Sequence, residues 1–245
     1  MNAAGPSLEL ALLGGFGLRQ GREPVGVAPA AQRLLAFLAV QRRPVLRTYA
    51  AATLWQDGTD RQACANLRST LRRLPRPMGR ALVAADASHV ALPHGVRVDL
   101  WDAQSSIEPG GRRLPDPDLL QADLLPEWDE DWLLAERERH RLLRLHALER
   151  LCAEHRERGR FDEAVRAGLA AIVSEPLRES AHRALIEVHL AEGNHAEALR
   201  QYQTYRHRLR EELGLSPSPV IRTLVGPLLG RPADAAQGRR RASSR

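Results

Sequence analysis

The sequence predicts a mostly helical chain with a small α+β module first and an all-helical repeat module after it. Three observations lead to this prediction. Short alternating strands surround three helical segments in residues 1–102, positive charge is concentrated in those residues, and a 34-residue pattern recurs in the second half. We therefore expect two domains, residues 1–102 and 103–229, followed by a disordered basic tail at residues 230–245.

Charge differs between the two modules. Residues 1–102 contain 13 arginines and 7 acidic residues, whereas residues 103–229 contain 18 arginines and 22 acidic residues. A basic module followed by a mildly acidic one is typical of a nucleic-acid-binding domain joined to a second function. The sequence contains no lysine, which excludes a P-loop lysine, a Schiff-base lysine and a Ser-x-x-Lys nucleophile pair.

Residues capable of chemistry are scattered along the chain. Cys64 and Cys152 lie far apart on predicted helices, so they indicate neither a disulfide framework nor a zinc site and fit a reducing cytosol. The 9 histidines lack paired-ligand spacing, and no nucleophile has a recognisable base. The N-terminus lacks a signal-peptide pattern, and the longest apolar run is too short for a bilayer. We predict a cytoplasmic protein that is not an enzyme, with no catalytic residue, metal, cofactor or membrane contact.

The first predicted elements are strands and then helices. Residues 8–12 alternate leucine with other residues, as in a half-buried strand, and residues 18–20 and 24–27 are expected to form a small hairpin. A helix begins at Pro29, since proline suits the first helical position, and ends before Pro44. A shorter helix is predicted to begin with Thr48 as its N-cap and to end at Trp55, with an inward face formed by Tyr49, Ala52 and Trp55.

The third helix, predicted over residues 59–76, carries the strongest functional signal. Thr59 and Gln62 fit a capping box, and prolines 75 and 77 end the helix. One face is apolar, at Ala63, Leu67, Leu71 and Leu74. The opposite face and its flanks carry arginine, asparagine and serine, and no acidic residue follows Asp60. Arginine pairs with guanine edges and phosphates and asparagine pairs with adenine, so this pattern predicts a DNA recognition helix. The alternative is a solvated basic face on an ordinary surface helix.

A β-hairpin is predicted directly after this helix. Residues 81–85 and 89–92 flank a turn at residues 86–88, and residues 96–100 alternate as a further strand with one buried face. Helix, helix, recognition helix and hairpin, preceded by a small sheet, form a winged helix-turn-helix. In such folds the third helix enters the major groove, and this context favours DNA binding over a merely solvated face.

The second module is predicted to be helical throughout. Residues 103–118 are expected to connect the modules. The acidic run at residues 127–132 is either a contact patch or, as we favour, an acid-rich helix start whose Trp128 and Trp132 anchor the core. From there a long helix is predicted to reach Arg158.

A tetratricopeptide-like repeat is predicted after that helix. Gly159 and Gly193, Glu163 and Glu197, and Ala164 and Ala198 are each separated by 34 residues. Helix pairs of this kind stack into solenoids that commonly bind proteins. The expected buried residues of these helices are Leu169, Ile172, Val173, Leu185, Ile186 and Val188.

Several runs resemble regulators of the actinobacterial AfsR/SARP type. They are residues 32–39, 54–55, 65–74 and 98–100 in the first module, and 131–139, 175–185 and 210–219 in the second. The resemblance covers residues 8–229 and implies an OmpR-like winged helix that binds promoter DNA, often at direct repeats near the −35 element. It further implies a bacterial transcriptional activator domain that helps to dock RNA polymerase, and a hairpin closed by Val98, Asp99 and Leu100.

The predicted function is therefore that of a sequence-specific transcriptional regulator, expected to be an activator. Asn66 and Arg68 are expected to contact base edges, while the other arginines of the helix neutralise phosphates. Its partners would be double-stranded promoter DNA and RNA polymerase, with a homodimer or side-by-side binding on direct repeats. The predicted DNA-binding residues are Arg47, Thr48, Arg61, Asn66, Arg68, Ser69, Arg72, Arg73, Arg76 and His89. The alternative is a helical-repeat interaction scaffold without sequence-specific DNA binding.

Overall fold

The structure, a computed structural model, describes residues 7–107, 120 and 122–229. The predicted tail at 230–245 and residues 108–119 of the predicted connecting segment lie outside the described residues. Within them, residues 7–107 and 122–141 form one compact unit, and residues 142–229 belong to a second. The helices are α1 (Pro29–Gln41), α2 (Arg47–Leu54), α3 (Asp60–Arg73), α4 (Asp99–Ile107), α5 (Asp131–Glu157), α6 (Phe161–Ser174), α7 (Glu179–Glu192), α8 (His195–Leu213) and α9 (Pro219–Val225). The strands are β1 (Leu8–Ala11), β2 (Gly17–Gln20), β3 (Glu23–Pro24), β4 (Val45–Leu46), β5 (Ala84–Ala85), β6 (His89–Ala91) and β7 (Val96–Val98).

The predicted fold class is confirmed, since small sheets and three helices come first and helices follow. One sheet has the order β3-β2-β1-β7, in which β1 pairs antiparallel with β2 and parallel with β7. The predicted small hairpin is present as β2 and β3, joined by a turn in which Gly21 has a φ of 59°. Alternate leucines of β1 are buried, as its alternating pattern predicts.

Helix α1 forms the centre of the first core. It begins with Pro29 at its first turn, and Arg42 ends it in the left-handed conformation at a φ of 54°. Leu34, Phe37 and Leu38 are almost completely buried against the sheets and the other helices. This central helix gives α2 and α3 a fixed apolar surface on which to pack.

The start and the inward face of α2 were predicted wrongly. Leu46 is the N-cap residue and has no side-chain cap, and Thr48 is exposed inside the first turn. The buried residues are Ala50, Ala51 and Leu54, whereas Tyr49 and Ala52 are exposed and Trp55 is half-buried. Small alanines allow close packing of α2 against α3, and this close approach decides which face turns inward.

The hairpin predicted across the 86–88 turn after α3 is present, but the strand that follows it does not belong to it. β5 pairs with β6 across the 86–88 turn, and β6 also pairs with β4. β7 leaves the hairpin and pairs with β1 in the other sheet. The strand predicted over residues 96–100 therefore ends at Val98, and Leu100 belongs to α4, so the run 98–100 does not close the hairpin.

Asp99 fixes the junction between β7 and α4. Its carboxylate accepts hydrogen bonds from the backbone N–H groups of Leu12 and Leu13 at 2.9 to 3.0 Å, and from that of Leu100 at 2.7 Å. Burial raises the pKa of Asp99 above its ordinary value despite these three amide donors. The contact ties the end of the first strand to a helix that begins 87 positions later.

Residues 122–141 pack with the first compact unit. Trp132 meets Phe37 edge-to-face with ring centroids 5.4 Å apart, and Trp128 stacks on Phe16 at 5.9 Å. Both tryptophans thus anchor the core, as predicted, although α5 begins only at Asp131. Arg137 on α5 donates to the backbone carbonyls of residues 124, 125 and 128. The compact units therefore differ from the predicted domains, which placed residues 122–141 in the second, and the domain boundaries stay a prediction.

The 34-residue repeat is visible in the backbone of the second unit. Gly159 and Gly193 end helices in the left-handed conformation at φ values of 68° and 84°. In both copies the backbone carbonyl four residues before the glycine accepts a hydrogen bond from the amide one residue after the glycine. The His155 carbonyl accepts from the Arg160 amide at 2.9 Å, and the His189 carbonyl accepts from the Asn194 amide at 2.8 Å. The alanines at 164 and 198 are fully buried. The two copies of the repeat therefore share the same helix-end geometry as well as the 34-residue spacing.

The apolar face of α6 was only partly predicted. Leu169 is 46% exposed and Val173 is 73% exposed, whereas Leu185, Ile186 and Val188 on α7 are buried as expected. Helix α6 packs instead through alanines and Gly168, where an added Cβ would lie 3.3 Å from the Cys152 sulfur. Burial raises the pKa of the Cys152 thiol to about 11. Small residues permit this approach, and larger ones are left outside it.

The segment before α9 is hydrogen-bonded to α7. Glu179 accepts hydrogen bonds from the Ser218 amide at 2.9 Å and from the Tyr205 hydroxyl at 3.3 Å. Burial together with the Glu179 carboxylate raises the pKa of Tyr205 to about 12. These contacts hold the Ser-Pro-Ser-Pro segment that leads into α9. Among the described helices, none has an apolar stretch long enough to cross a bilayer.

Candidate nucleic-acid interface

Helix α3 is capped and oriented as its sequence predicts, although it ends at Arg73 and not at the predicted Arg76. The Thr59 hydroxyl accepts from the Gln62 amide at 3.3 Å, and the Gln62 side chain accepts from the Thr59 amide at 3.1 Å, which completes the capping box. Ala63 and Leu67 are buried, and Leu71 and Leu74 pack partly buried against the core. The polar face is therefore turned outward and held there by the apolar stripe behind it.

The outward face of α3 and the residues just after it carry unpaired positive charge. The exposed residues are Arg61, Ala65, Asn66, Arg68, Arg72, Arg73 and Arg76, while Ser69 is half-buried. Arg72 and Arg73 occupy the last turn, where the helix dipole favours cations. Among the residues that the structure describes, none of these five arginines forms an ion pair, although other arginines of the chain do. Their guanidinium donors are available to an external anion.

Three arginines of this face line a concave surface beside the hairpin, which we call the arginine cradle. It has a volume of 530 Å³ and is lined by Arg47, Arg68, Leu71, Arg72, Leu74, Arg76 and Ala85. These residues come from α2, from α3 with the segment after it, and from β5. The lining holds four guanidinium groups and no carboxylate. Such a surface attracts phosphate groups.

The hairpin turn holds one of these guanidinium groups in place. Arg47 donates from its side chain to the Asp86 carbonyl at 2.9 Å, and its amide donates to the Ser88 carbonyl at 2.8 Å. The turn itself is closed by the Asp86 carboxylate, which accepts from the amides of Ser88 and His89 at 2.7 Å. The amides of His89 and Ser88 hold the pKa of Asp86 below its ordinary value. Arg47 is thus fixed by a turn that is itself rigidly bonded.

Asn66 lies on a different side of α3 from the cradle. It lines a cleft with Gln62, the 53–58 segment, Arg33 and the acidic residues 129–131. Arg33 is paired there with Glu130, which also accepts from the Trp132 indole at 2.8 Å. The two residues predicted to contact base edges, Asn66 and Arg68, therefore face surroundings of opposite charge. Sequence spacing places both near the exposed face, but only the fold brings acidic residues beside one of them.

Of the remaining predicted site residues, two are exposed and one is half-buried. Arg61 is exposed in the first turn of α3, and Thr48 is exposed in the first turn of α2. His89 is half-buried, with its Nδ1 atom 2.9 Å from the Ser88 hydroxyl. The sequence analysis did not predict that Asp86 and Ala85 belong to this site. The Asp-Ala-Ser turn next to a strand was a usable signal for the first, and nothing in the sequence marks the second.

A comparison with protein families identifies the second half of the chain. Residues 118–229 match the family model described as "Bacterial transcriptional activator domain". This match includes α5 to α9.

Comparison with individual proteins extends the similarity over both units. The regulatory protein AfsR of Streptomyces griseus is 28% identical over 254 residues, covering 95% of this chain and 26% of that protein. AfsR of Streptomyces coelicolor is 29% identical, covering 86% of this chain and 23% of that protein. The chain thus spans about a quarter of the length of these curated relatives.

A solved structure shares the fold. Mycobacterium tuberculosis EmbR, in complex with a low-affinity phosphopeptide, matches with a TM-score of 0.66 and 23% identity. The match covers 93% of this chain and 66% of that one. It therefore includes most of the α+β unit as well as most of the helical unit.

Proposed function

We propose that this chain, which matches the bacterial transcriptional activator domain and is similar to AfsR over both units, is a transcriptional regulator that binds promoter DNA sequence-specifically through α3. The observation that supports this most strongly is the unpaired arginine face of α3, packed against an apolar core beside a hairpin. In winged helix-turn-helix folds this helix enters the major groove. Arg68 and Asn66 are the candidates for base edges, and Arg47, Arg61, Arg72, Arg73 and Arg76 for phosphates.

The hairpin turn before His89 would lie over the neighbouring backbone or minor groove. Thr48 and Ser69 would add hydroxyl contacts at the edges of the interface. On direct repeats, two copies would bind side by side in the same orientation.

The helical unit is proposed to contact RNA polymerase and so to activate transcription. This rests on the activator-domain match and on the general tendency of stacked helical repeats to bind proteins. The turn at residues 56–58 is a second candidate surface for that contact, since it is exposed at the start of α3.

The test is selection of random duplex DNA by the full-length protein at two salt concentrations, alongside Arg68→Ala and Asn66→Ala variants. Enrichment of a defined site, relaxed at one base position in a variant, is the expected result, because each bidentate base contact contributes about 1–3 kcal/mol of discrimination. Bulk salt-sensitive binding shared by all three proteins, without enrichment, would defeat sequence-specific recognition and favour an interaction scaffold instead.

A further inference from the structure

The arginine cradle is more specific than a generally basic surface. Its guanidinium groups come from separate elements, Arg47 from α2 and Arg68, Arg72 and Arg76 from α3 and the segment that follows it. In the described part of the chain no carboxylate lines it and none of the four forms an ion pair. Like charges gathered in this way repel one another, and a bound anion would relieve that repulsion.

The cradle also has an apolar floor. Leu71 and Leu74 are half-buried and line it together with Ala85. An apolar wall lowers the local dielectric constant, so a guanidinium–anion contact made against it is stronger than one made in open water. A ligand that fits therefore carries negative charge on a compact group.

Arg47 is organised in advance to receive such a group. One of its N–H groups donates to the Asp86 carbonyl at 2.9 Å. A guanidinium has five N–H donors in a rigid plane, so this bond orients the group and leaves donors for an anion. Because its position is already fixed, Arg47 loses less conformational entropy on binding than a free surface arginine.

We propose that the cradle binds a single phosphodiester group of the DNA backbone, held by Arg47, Arg72 and Arg76, next to the base edge that Arg68 contacts. The inference rests on the proposed DNA binding and goes beyond it, because it assigns one phosphate to residues of three elements. Phosphate contacts position a protein on the duplex, and base contacts specify the sequence. The hairpin would then act through Arg47, and its turn would position that side chain.

The first arm of the test uses the selected duplex and a scrambled one with full-length Arg47→Ala, Arg72→Ala and Arg76→Ala variants. Arg80→Ala is the matched control, since Arg80 lies four positions after Arg76 and is exposed but does not line the cradle. Each cradle variant is expected to weaken binding to both duplexes by the same factor, about tenfold. Arg68→Ala is expected to weaken the selected duplex more than the scrambled one. Loss of base preference in the cradle variants would overturn the assignment.

The second arm replaces single phosphates of the selected duplex by neutral methylphosphonates. One position is expected to weaken the native protein by at least about tenfold and to cause a smaller loss in Arg47→Ala or Arg72→Ala, because each variant already lacks one of the arginines that contact this phosphate. At that position the losses should add in Arg80→Ala. Losses that add in every variant would overturn the single-phosphate site, even though the DNA selection had succeeded. A selection that enriches no site would instead defeat the proposed function itself.

A third arm separates backbone phosphate from free phosphate. Inorganic phosphate, replacing chloride at constant ionic strength, should raise the melting temperature of the native protein by less than the selected duplex does. A rise as large as that with the duplex, and lost in Arg72→Ala, would identify the free anion as the ligand and overturn the DNA assignment.

Discussion

Arginine has opposite surroundings in the helical unit and on the exposed face of α3. In the helical unit many arginines are paired, as with Arg178 and Glu149, Arg156 and Glu187, and Arg200 and Glu197. On the exposed face of α3 and just beyond it, none of the arginines has an ion-pair partner among the described residues. The same residue type therefore forms ion pairs within the helical unit and leaves charge available on the exposed face of α3. Composition alone does not separate these roles, because neighbours from distant parts of the chain decide them.

The largest effect on stability is expected for Arg178→Ala, which breaks an ion pair of the helical unit. It would leave Glu149 with an 18% exposed side chain and only Ser180 as a hydrogen-bond donor. We expect a loss of about 2–3 kcal/mol in the free energy of unfolding, measured by urea denaturation of the full chain. The control is Arg183→Ala, whose partner Glu187 keeps its pairing with Arg156, and a loss of at most about 0.5 kcal/mol is expected there. Equal losses would contradict the distinction between the two pairs.

The same pair predicts a pH dependence. Burial opposes ionisation of Glu149, but hydrogen bonds from Arg178 and Ser180 outweigh it and lower the pKa of this carboxyl below its ordinary value. Its contribution to stability is therefore fully present above the unfolded pKa of about 4.3 and is lost as the pH falls through the lower folded value. Thermal melts across acidic pH should show a smaller decline in Arg178→Ala than in the native protein. An identical decline in both would rule out this pair as a source.

A medium effect is expected at the helix that presents the arginine face. Thr59→Ala removes the capping box and should cost about 1 kcal/mol of unfolding free energy. Thr48→Ala is the matched control, because Thr48 is exposed and does not cap α2. Chemical denaturation of both variants checks the corrected start of α2, which a large loss in Thr48→Ala would contradict.

The smallest expected effect on stability comes from substitutions in the arginine face of α3. Arg72→Ala and Arg73→Ala should each change the free energy of unfolding by less than about 0.5 kcal/mol, because exposed side chains without partners contribute little to folding. Calorimetry at moderate salt is the measurement. Destabilisation as large as that of Arg178→Ala would mean that these arginines serve the fold.

Much of this arrangement was predictable because it depends on local signals. The capping box of Thr59 and Gln62, the proline at the start of α1 and the glycines spaced by 34 residues each specify their own backbone conformation. The resemblance to AfsR/SARP-type regulators is confirmed by the activator-domain match and the relatives. The arginine face followed from helical periodicity in the same way.

The rest depended on contacts between distant segments. Strand β7 pairs with β1, some 88 positions earlier in register, and no local pattern distinguishes this from pairing within the hairpin. The inward face of α2 is set by alanines, whose weak apolar signal was outweighed by tyrosine and tryptophan in the sequence. The acidic surroundings of Asn66 and the bond from Arg47 to Asp86 likewise arise only when separate elements meet.

The central claim is that DNA binding depends on where arginine lies rather than on how much of it the chain contains. The most direct measurement compares two double variants with the same change in charge, Arg61→Ala with Arg72→Ala on α3, and Arg183→Ala with Arg200→Ala in the helical unit. Affinity for the selected duplex is measured by fluorescence anisotropy over a range of salt concentrations. We expect the α3 variant to bind about 100-fold more weakly and its salt slope to fall by about two, and the helical-unit variant to stay within about threefold of the native protein. Equal losses in the two variants would show that net charge alone attracts the DNA and would contradict this assignment.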